Sequence, residues 1–126
     1  MLFNHGDMYR DFTFVDDIVL GVVAVAKRPP DADRDGVRHR VYNIGNNRPV
    51  RLTDFVDTLE LHLEQYGLLN GPVEREYLPM QPGEVYQTYA DVAPLEKEFG
   101  VRPVTSLADG LERFVRWYKD YKYVDE

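Results

Sequence analysis

The stretch Met8-Tyr9-Arg10-Asp11-Phe12-Thr13-Phe14-Val15-Asp16-Asp17-Ile18-Val19 decides how this chain is read. It starts with one cation, passes through alternating aromatic residues, and ends on two acids that open an apolar run. Phe12, Phe14 and Tyr9 predict a short extended segment, because aromatic and β-branched residues favour strands. Asp16 and Asp17 suit the first turn of a helix, where carboxylates complement exposed N–H groups and the dipole. Arg10 has two readings on residue type alone. It is either a surface partner of Asp11 or Asp16, or a bidentate phosphate clamp on a rigid edge beside the strand-to-helix junction.

Outward from this stretch, the pattern alternates helices with short strands, an α/β arrangement. Leu2-Phe3 fits the end of a strand and begins abruptly, as if a preceding half of the fold were missing. The helix opened by Asp16 runs to about Lys27, with Lys27-Arg28 suiting its C-terminus and Pro29-Pro30 stopping it. Its residues Ile18, Val19, Val22, Val23, Ala24, Val25 and Ala26 are apolar nearly all round, so it needs cover on more than one side. Gly21 costs a helix roughly 1 kcal/mol against Ala, and close packing is the expected reason for it. The Asp31-Ala32-Asp33-Arg34-Asp35-Gly36 run has half the spacing of a calcium loop, but Tyr42 stands where the closing Glu is needed, so a solvated turn is expected.

Arg40 to Gly45 reads as a strand closed by Asn46, Asn47 and Pro49. Thr53 is expected to cap a helix from Asp54 to about Tyr66, stopped by Gly67, with Phe55, Val56, Leu59 and Leu63 as its buried stripe. Val73 to Leu78 reads as an exposed or edge strand, Gln81-Pro82-Gly83-Glu84 as a tight turn, and Val85 to Tyr89 as extended. A short helix runs from Asp91 to Phe99, with Pro94 tolerated in its first turn and Gly100 ending it. Ser106 caps the last helix, whose expected core stripe is Leu107, Leu111, Phe114, Val115 and Tyr118. There is no internal repeat and no linker long enough to divide the chain, so residues 1–126 are expected to act as a single unit.

Bulk properties exclude several function classes. The 126 residues allow one core burying roughly 65% of the unfolded surface, and 44% apolar residues is ordinary for a globular protein. A net charge of −7, from 22 acids against 15 Lys and Arg, argues against nucleic acid or an anionic membrane as partner. No cysteine is present, which removes disulfides and thiolate zinc sites and agrees with a cytoplasmic location. No apolar run approaches a membrane span. His5, His39 and His62 fall in different elements without metal-ligand spacing, and are expected to be surface or satisfied polar residues.

The run from Phe3 through Val19 closely resembles the C-terminal half of NAD-dependent nucleotide-sugar epimerases of the extended short-chain dehydrogenase/reductase family, UDP-glucuronate 4-epimerase most of all. Three further matches follow in order: Val41-Tyr42-Asn43-Ile44-Gly45-Asn46-Asn47, Leu78-Pro79-Met80-Gln81-Pro82-Gly83-Glu84, and Phe114-Val115-Arg116-Trp117-Tyr118-Lys119-Asp120. Together they cover nearly the whole chain. The resemblance implies a substrate-binding portion whose dinucleotide-binding Rossmann core is largely missing.

In that family NAD takes a hydride from the sugar C4 while a tyrosine, paired with lysine in Tyr-x-x-x-Lys, takes the hydroxyl proton. This sequence has no Gly-x-x-Gly-x-x-Gly fingerprint, so NAD is expected in the complete enzyme and not on this chain alone. Tyr118 and Lys122 reproduce the Tyr-x-x-x-Lys spacing, but in the family's terminal helix, where it has no catalytic duty. No catalytic residue and no metal ligand is therefore expected here. By resemblance, Arg10 contacts the nucleotide diphosphate and the Phe3 backbone meets the uracil. Glu84 stands where relatives commonly have a ribose-binding Asp. Gln81 stands where some carry a second phosphate-binding Arg, and the Met-Gln-Pro-Gly form is typical of the glucuronate branch. Asn43, Asn46 and Asn47 are either polar contacts or turn formers. The expected partner is a UDP-sugar, and self-association is expected through apolar faces left by the missing half. A sugar-nucleotide dehydratase or decarboxylase of the same fold, or a non-catalytic binding module, remain as alternatives.

Overall fold

A computed structural model describes residues 1–122. These residues fold into two compact units, each built from separated segments of chain.

The first unit contains Met1–Arg10, Pro49–Thr88 and the segment from Ser106 on. A 3-10 turn at Phe3–Gly6 leads to strand β1 (Tyr9–Arg10). This strand pairs antiparallel with β2 (Val50–Arg51), Tyr9 opposite Arg51 and Arg10 opposite Val50. Helix α2 (Leu52–Gln65) follows β2 directly and packs on α4 (Leu107–Lys122). Thr53 does not cap α2 as the sequence suggested: the cap position is Arg51, and Thr53 lies inside the helix. The end of α2 is closed as expected. Gly67 adopts φ +71, its N–H reaches the Glu64 carbonyl at 2.9 Å and the Leu68 N–H reaches Leu63 at 2.8 Å, satisfying carbonyls left over at the helix end. Ser106 caps α4. Its hydroxyl oxygen accepts the Asp109 N–H at 3.1 Å and donates to Asp109 Oδ2 at 2.7 Å.

The core of this unit is formed by Leu2, Met8, Leu111 and Val115. The expected stripe on α4 is half right. Leu111 and Val115 are buried with Gly110, but Phe114 and Tyr118 are exposed. The two stripes are adjacent on the helix, and packing against α2 selects the aliphatic one. On α2 the residues Phe55, Val56, Leu59 and Leu63 are half-buried, and the buried side chain is His62. His62 Nδ1 lies 3.2 Å from Gln65 Oε1, while Nε2 has no partner among the described residues, so this histidine is not the satisfied or surface residue expected.

The second unit contains Asp11–Arg48 and Tyr89–Thr105. Helix α1 (Val15–Lys27) opens on Asp16 and Asp17 as read from the sequence and packs on α3 (Ala93–Phe99). Asp17 is buried and accepts the Thr105 N–H at 3.0 Å. Gly21 is also buried. A Cβ there would stand 2.9 Å from the Ile44 Cδ1 atom, so the expected close packing comes from an isoleucine side chain. Val92 and Leu95 fill the centre. Gly100 ends α3 in the left-handed conformation, φ +68, with its N–H on the Glu96 carbonyl.

Several expected strands are absent from the described residues. Phe12 and Phe14 lie outside any strand, and residues 40–45 are extended coil. Val73–Leu78 and Val85–Tyr89 form only single parallel bridges, Leu2 with Tyr77 and Tyr9 with Gln87. A strand exists only where a neighbour completes its hydrogen bonds, and these segments have strand-forming residues without a full ladder partner. The Asp31–Gly36 loop is the solvated turn expected: Asp33 Oδ1 accepts the N–H groups of Asp35 and Val37 at 2.9 and 2.8 Å. Among the described residues no group of three or more His, Asp or Glu could hold a metal, and no helix is long and apolar enough to cross a membrane.

Candidate functional site

Phe3, Arg10, Gln81 and Glu84 all fall in the first unit, on two segments that run side by side. The bridges at Leu2–Tyr77 and Tyr9–Gln87 fix the two ends of this pairing. Between them the Leu2 and His5 N–H groups donate to the Glu76 and Leu78 carbonyls at 2.6 and 2.9 Å. Further along, the Tyr9 N–H donates to the Tyr86 carbonyl at 2.9 Å, and the Thr88 N–H to Tyr9 at 3.2 Å. Gln81 and Glu84 lie on the segment between the bridged residues Tyr77 and Gln87, and Phe3 on the paired segment between Leu2 and Tyr9.

That turn has a handedness the sequence reading missed. Asn4, His5 and Gly6 all have positive φ, at 46°, 53° and 79°. Three successive left-handed residues are costly for L-residues, and Asn, His and Gly are the types that tolerate it. The Asn4 side-chain amide secures the turn on the Asp7 carbonyl at 2.7 Å, and the Asp7 N–H returns to the Asn4 carbonyl. Gly6 is required twice over: its φ is left-handed, and a Cβ would meet Thr53 Cγ2 at 2.9 Å. Asn-His-Gly was the available signal. Phe3, half-buried, leads into this turn.

Arg10 is half-buried on β1. One guanidinium nitrogen, Nη1, donates to the carbonyls of Tyr9 at 2.8 Å and Tyr86 at 3.2 Å, and Nη2 lies 4.0 Å from the Met8 sulfur. Its partners are main-chain carbonyls, so the surface ion pair weighed from sequence is not what holds it. This sets Arg10 apart from other arginines of the unit. Arg51 pairs with Asp7 at 3.1 Å, and Arg75 bridges Asp57 and Glu60. Neutral carbonyls orient a guanidinium without cancelling its charge, and leave its remaining N–H donors for an anion.

Aromatic rings lie beside it. Tyr9 and Tyr86 have ring centroids 5.7 Å apart, tilted by 59°. The Tyr86 hydroxyl is held above its usual range, first by burial and then by the nearby Asp7 carboxylate, so it remains protonated and a hydrogen-bond donor at neutral pH. The Gln81–Glu84 turn closes on itself. The Glu84 N–H donates to the Gln81 carbonyl at 3.2 Å, the Gln81 N–H donates to Glu84 Oε2 at 3.3 Å, and Gly83 between them takes φ +88. One Glu84 oxygen is thus engaged by its own turn, and the other has no partner among the described residues.

Asn43, Asn46 and Asn47 belong to the second unit and act as turn and anchoring residues. The Asn46 N–H donates to Thr13 Oγ1 at 3.1 Å and the Asn47 N–H to Asp11 Oδ2 at 3.0 Å, with Asn47 at φ +52. The Asn43 amide reaches the Asp91 carbonyl at 3.4 Å. This unit also has an open depression of about 530 Å³ lined by Arg40, Asp91, Ala93, Pro94, Lys97 and Glu98. None of the residues singled out as ligand-binding from sequence lines it. Beside it the Tyr42 hydroxyl donates to Glu98 Oε2 at 2.6 Å, and burial together with that carboxylate raises the Tyr42 pKa.

No protein-family profile matches the chain. Individual proteins do. The protein CapI of Staphylococcus aureus is 39% identical over 95% of this chain and 37% of its own length. UDP-glucuronate 4-epimerase 2 of Arabidopsis thaliana is 38% identical over 94% of this chain and 27% of its own. Among solved structures, UDP-glucuronic acid 4-epimerase of Bacillus cereus, in complex with UDP-glucuronic acid and NAD, superposes with a TM-score of 0.75 at 28% identity, covering 95% of this chain and 35% of that one. UDP-glucose 4-epimerase of Thermotoga maritima, with UDP-glucose, gives 0.72 at 26% identity, again covering 95% and 34%. The chain spans about a third of the length of the relatives it matches. Sequence and fold agree: over about a third of their length, the chain is similar to nucleotide-sugar epimerases of the extended short-chain dehydrogenase/reductase type.

Proposed function

We propose that this chain is the C-terminal, nucleotide-sugar-binding portion of an NAD-dependent UDP-glucuronate 4-epimerase, and that alone it has no epimerase activity. The supporting observation is the state of Arg10, a half-buried guanidinium oriented by the neutral carbonyls of Tyr9 and Tyr86 and keeping its charge for an anion. In a protein of net charge −7, such a cation is a local exception to a repulsive field. Arg10 takes the diphosphate, the backbone at Phe3 the uracil, and Gln81 and Glu84 the neighbouring polar groups of the nucleotide sugar. Relatives at 35–38% identity bear the name UDP-glucuronate 4-epimerase, which favours epimerisation over dehydration or decarboxylation.

The residues present do not fit the pyrophosphate of NAD. The segment between β1 and α1, Asp11 to Phe14, has no glycine, and α1 opens on Asp16 and Asp17. Two carboxylates at a helix N-terminus repel the phosphates that a Rossmann turn would seat there. Strand β2 passes into α2 without any intervening turn. The share of this chain is therefore to bind and orient one end of the substrate.

Incubating the 126-residue chain with UDP-glucuronate and NAD, and assaying for UDP-galacturonate by chromatography, tests the proposal. No product is expected. Turnover would refute the inactive-fragment reading. Calorimetry with UDP tests the grip separately: weak binding that Arg10→Ala abolishes is expected, and equal heats from both proteins would remove Arg10 from the site.

The apolar faces of the chain extend this reading to self-association, for which α1 and α4 offer different surfaces.

A further inference from the structure

Every asparagine carries a latent reaction, and the fold decides where it can run. The main-chain nitrogen of the following residue can attack the side-chain amide carbon. It does so only where that nitrogen is not held in a hydrogen bond and not shielded by its own side chain. The asparagines of this chain are Asn4, Asn43, Asn46, Asn47 and Asn70. After Asn4 the attacking nitrogen would be that of His5, whose N–H donates to the Leu78 carbonyl at 2.9 Å. After Asn46 and Asn47 it would be that of Asn47 and Arg48, and both N–H groups donate to the Asp11 carboxylate, at 3.0 and 3.3 Å. After Asn43 it is that of Ile44, shielded by a β-branched side chain.

Asn70 differs on each count. It is exposed in the loop after α2, and the next residue is the equally exposed Gly71. Gly71 has φ +151, and no atom stands within 4 Å of the place its Cβ would take. Among the described residues neither the Gly71 N–H nor the Asn70 amide has a hydrogen-bond partner. The Asp35-Gly36 and Asp109-Gly110 junctions are closed by contrast. The Gly36 N–H donates to the Asp33 carbonyl and the Gly110 N–H to the Ser106 carbonyl, both at 3.0 Å.

We propose that Asn70-Gly71 is a self-modification site, at which the folded chain converts asparagine into aspartate and isoaspartate. The Gly71 nitrogen gives its proton to solvent base and bonds to Asn70 Cγ. The Cγ–Nδ2 bond breaks, and that nitrogen takes a proton and leaves as ammonia. Water then opens the cyclic imide. Addition at Cγ gives aspartate, and addition at the main-chain carbonyl gives isoaspartate, whose backbone runs through the former side chain. The net change is amide plus water to carboxylate plus ammonium, with nothing oxidised or reduced. Each conversion places a negative charge just before Val73, whose N–H donates to Glu60. Neither Asn70 nor Gly71 belongs to the proposed nucleotide-sugar site.

Incubating the folded chain at neutral and at mildly alkaline pH, with peptide mapping by mass spectrometry and measurement of released ammonia, reads the reaction. Residue 70 should be converted, faster at the higher pH because the attacking nitrogen must lose a proton. Asn4, Asn43, Asn46 and Asn47 should stay intact. Asn70→Gln, whose longer side chain closes the ring far less readily, should abolish ammonia release. Its circular dichroism should be unchanged, since Asn70 holds no hydrogen bond in the fold. In guanidinium chloride the bonds at His5, Asn47 and Arg48 are lost, and Asn4, Asn46 and Asn47 should react faster than in the folded chain. An Asn70 that stays intact in the folded chain, under conditions that convert it in guanidinium chloride, overturns the proposal. So does conversion of any other asparagine in the folded chain as fast as residue 70.

Discussion

The Asp11 carboxylate occupies the space that a side chain on Gly45 would need. A Cβ on Gly45 would stand 2.9 Å from Asp11 Oδ2 and 2.6 Å from the Ala90 Cβ. In that crevice Asp11 accepts the N–H groups of Asn47 at 3.0 Å, Arg48 at 3.3 Å and Ala90 at 3.1 Å. One carboxylate thus ties two distant segments through charge-assisted bonds, which are stronger than neutral ones. Asp11→Ala would orphan three main-chain donors and should cost about 2–4 kcal/mol in urea unfolding. Gly45→Ala should cost about 1–3 kcal/mol by overpacking. The two together should cost less than their sum, because both break the same crevice. Strict additivity would mean that the two residues act apart.

Arg10 should be separable from stability. Its partners are two backbone carbonyls that can turn to water on this half-exposed edge, so Arg10→Ala should change the unfolding free energy by about 1 kcal/mol or less. UDP binding should weaken at least tenfold, the usual consequence of removing a charge-assisted contact to phosphate. Arg10→Lys should not rescue it. A lysine has one compact charge and cannot hold the carbonyls of Tyr9 and Tyr86 while presenting a planar fork to the diphosphate. Full affinity in the lysine variant, measured by calorimetry, would show that the planar fork is unnecessary.

What the sequence revealed depended on whether the deciding contact was local. Asp16 and Asp17 at the start of α1, Ser106 before α4, and Gly67 and Gly100 after α2 and α3 are settled within one turn of helix, and all are found as read. Thr53 looked like a cap, but β2 feeds α2 so directly that the helix begins before it. Residues 40–45 have strand composition, yet a strand needs a neighbour, and composition does not supply one. On α4 the helical period was legible but not the choice between two adjacent apolar stripes, which packing against α2 makes. The site divides in the same way. Arg10 stood out as a lone cation among aromatics. Its seat on the Tyr86 carbonyl, 76 residues away, could not be seen, and neither could the left-handed turn after Phe3.

The apolar face of α1 should tolerate charge in this chain. Val15, Val19 and Val22 are all more than half exposed, so they contribute little burial energy. Val19→Glu and Val22→Glu should each change stability by about 0.5 kcal/mol or less. Leu95→Ala, in the fully buried centre of the same unit, should cost about 2–5 kcal/mol. Thermal or urea unfolding of the three variants makes the comparison. A loss of several kcal/mol at Val19 would mean that its face is covered in solution.

Acid should destabilise the contact between α2 and the segment after it through Glu60. The Val73 N–H donates to Glu60 Oε1 at 2.9 Å, and Arg75 pairs with its other oxygen while also reaching Asp57 at 2.5 Å. The Val73 bond first, and then Arg75, hold the Glu60 pKa below the usual 4.5, and the same pairing raises that of Arg75. A folded-state pKa below the unfolded one means that, as pH falls through 4.5, the unfolded chain takes up the proton first. The stabilisation is therefore complete above 4.5 and is lost progressively as pH drops toward the lower folded value. Glu60→Gln keeps an acceptor for Val73 but has no proton to bind in this range, so its stability should fall less steeply on the acid side. Urea unfolding of both proteins from neutral pH down to about pH 3 reads this difference, and parallel curves would mean that Glu60 is not coupled to folding.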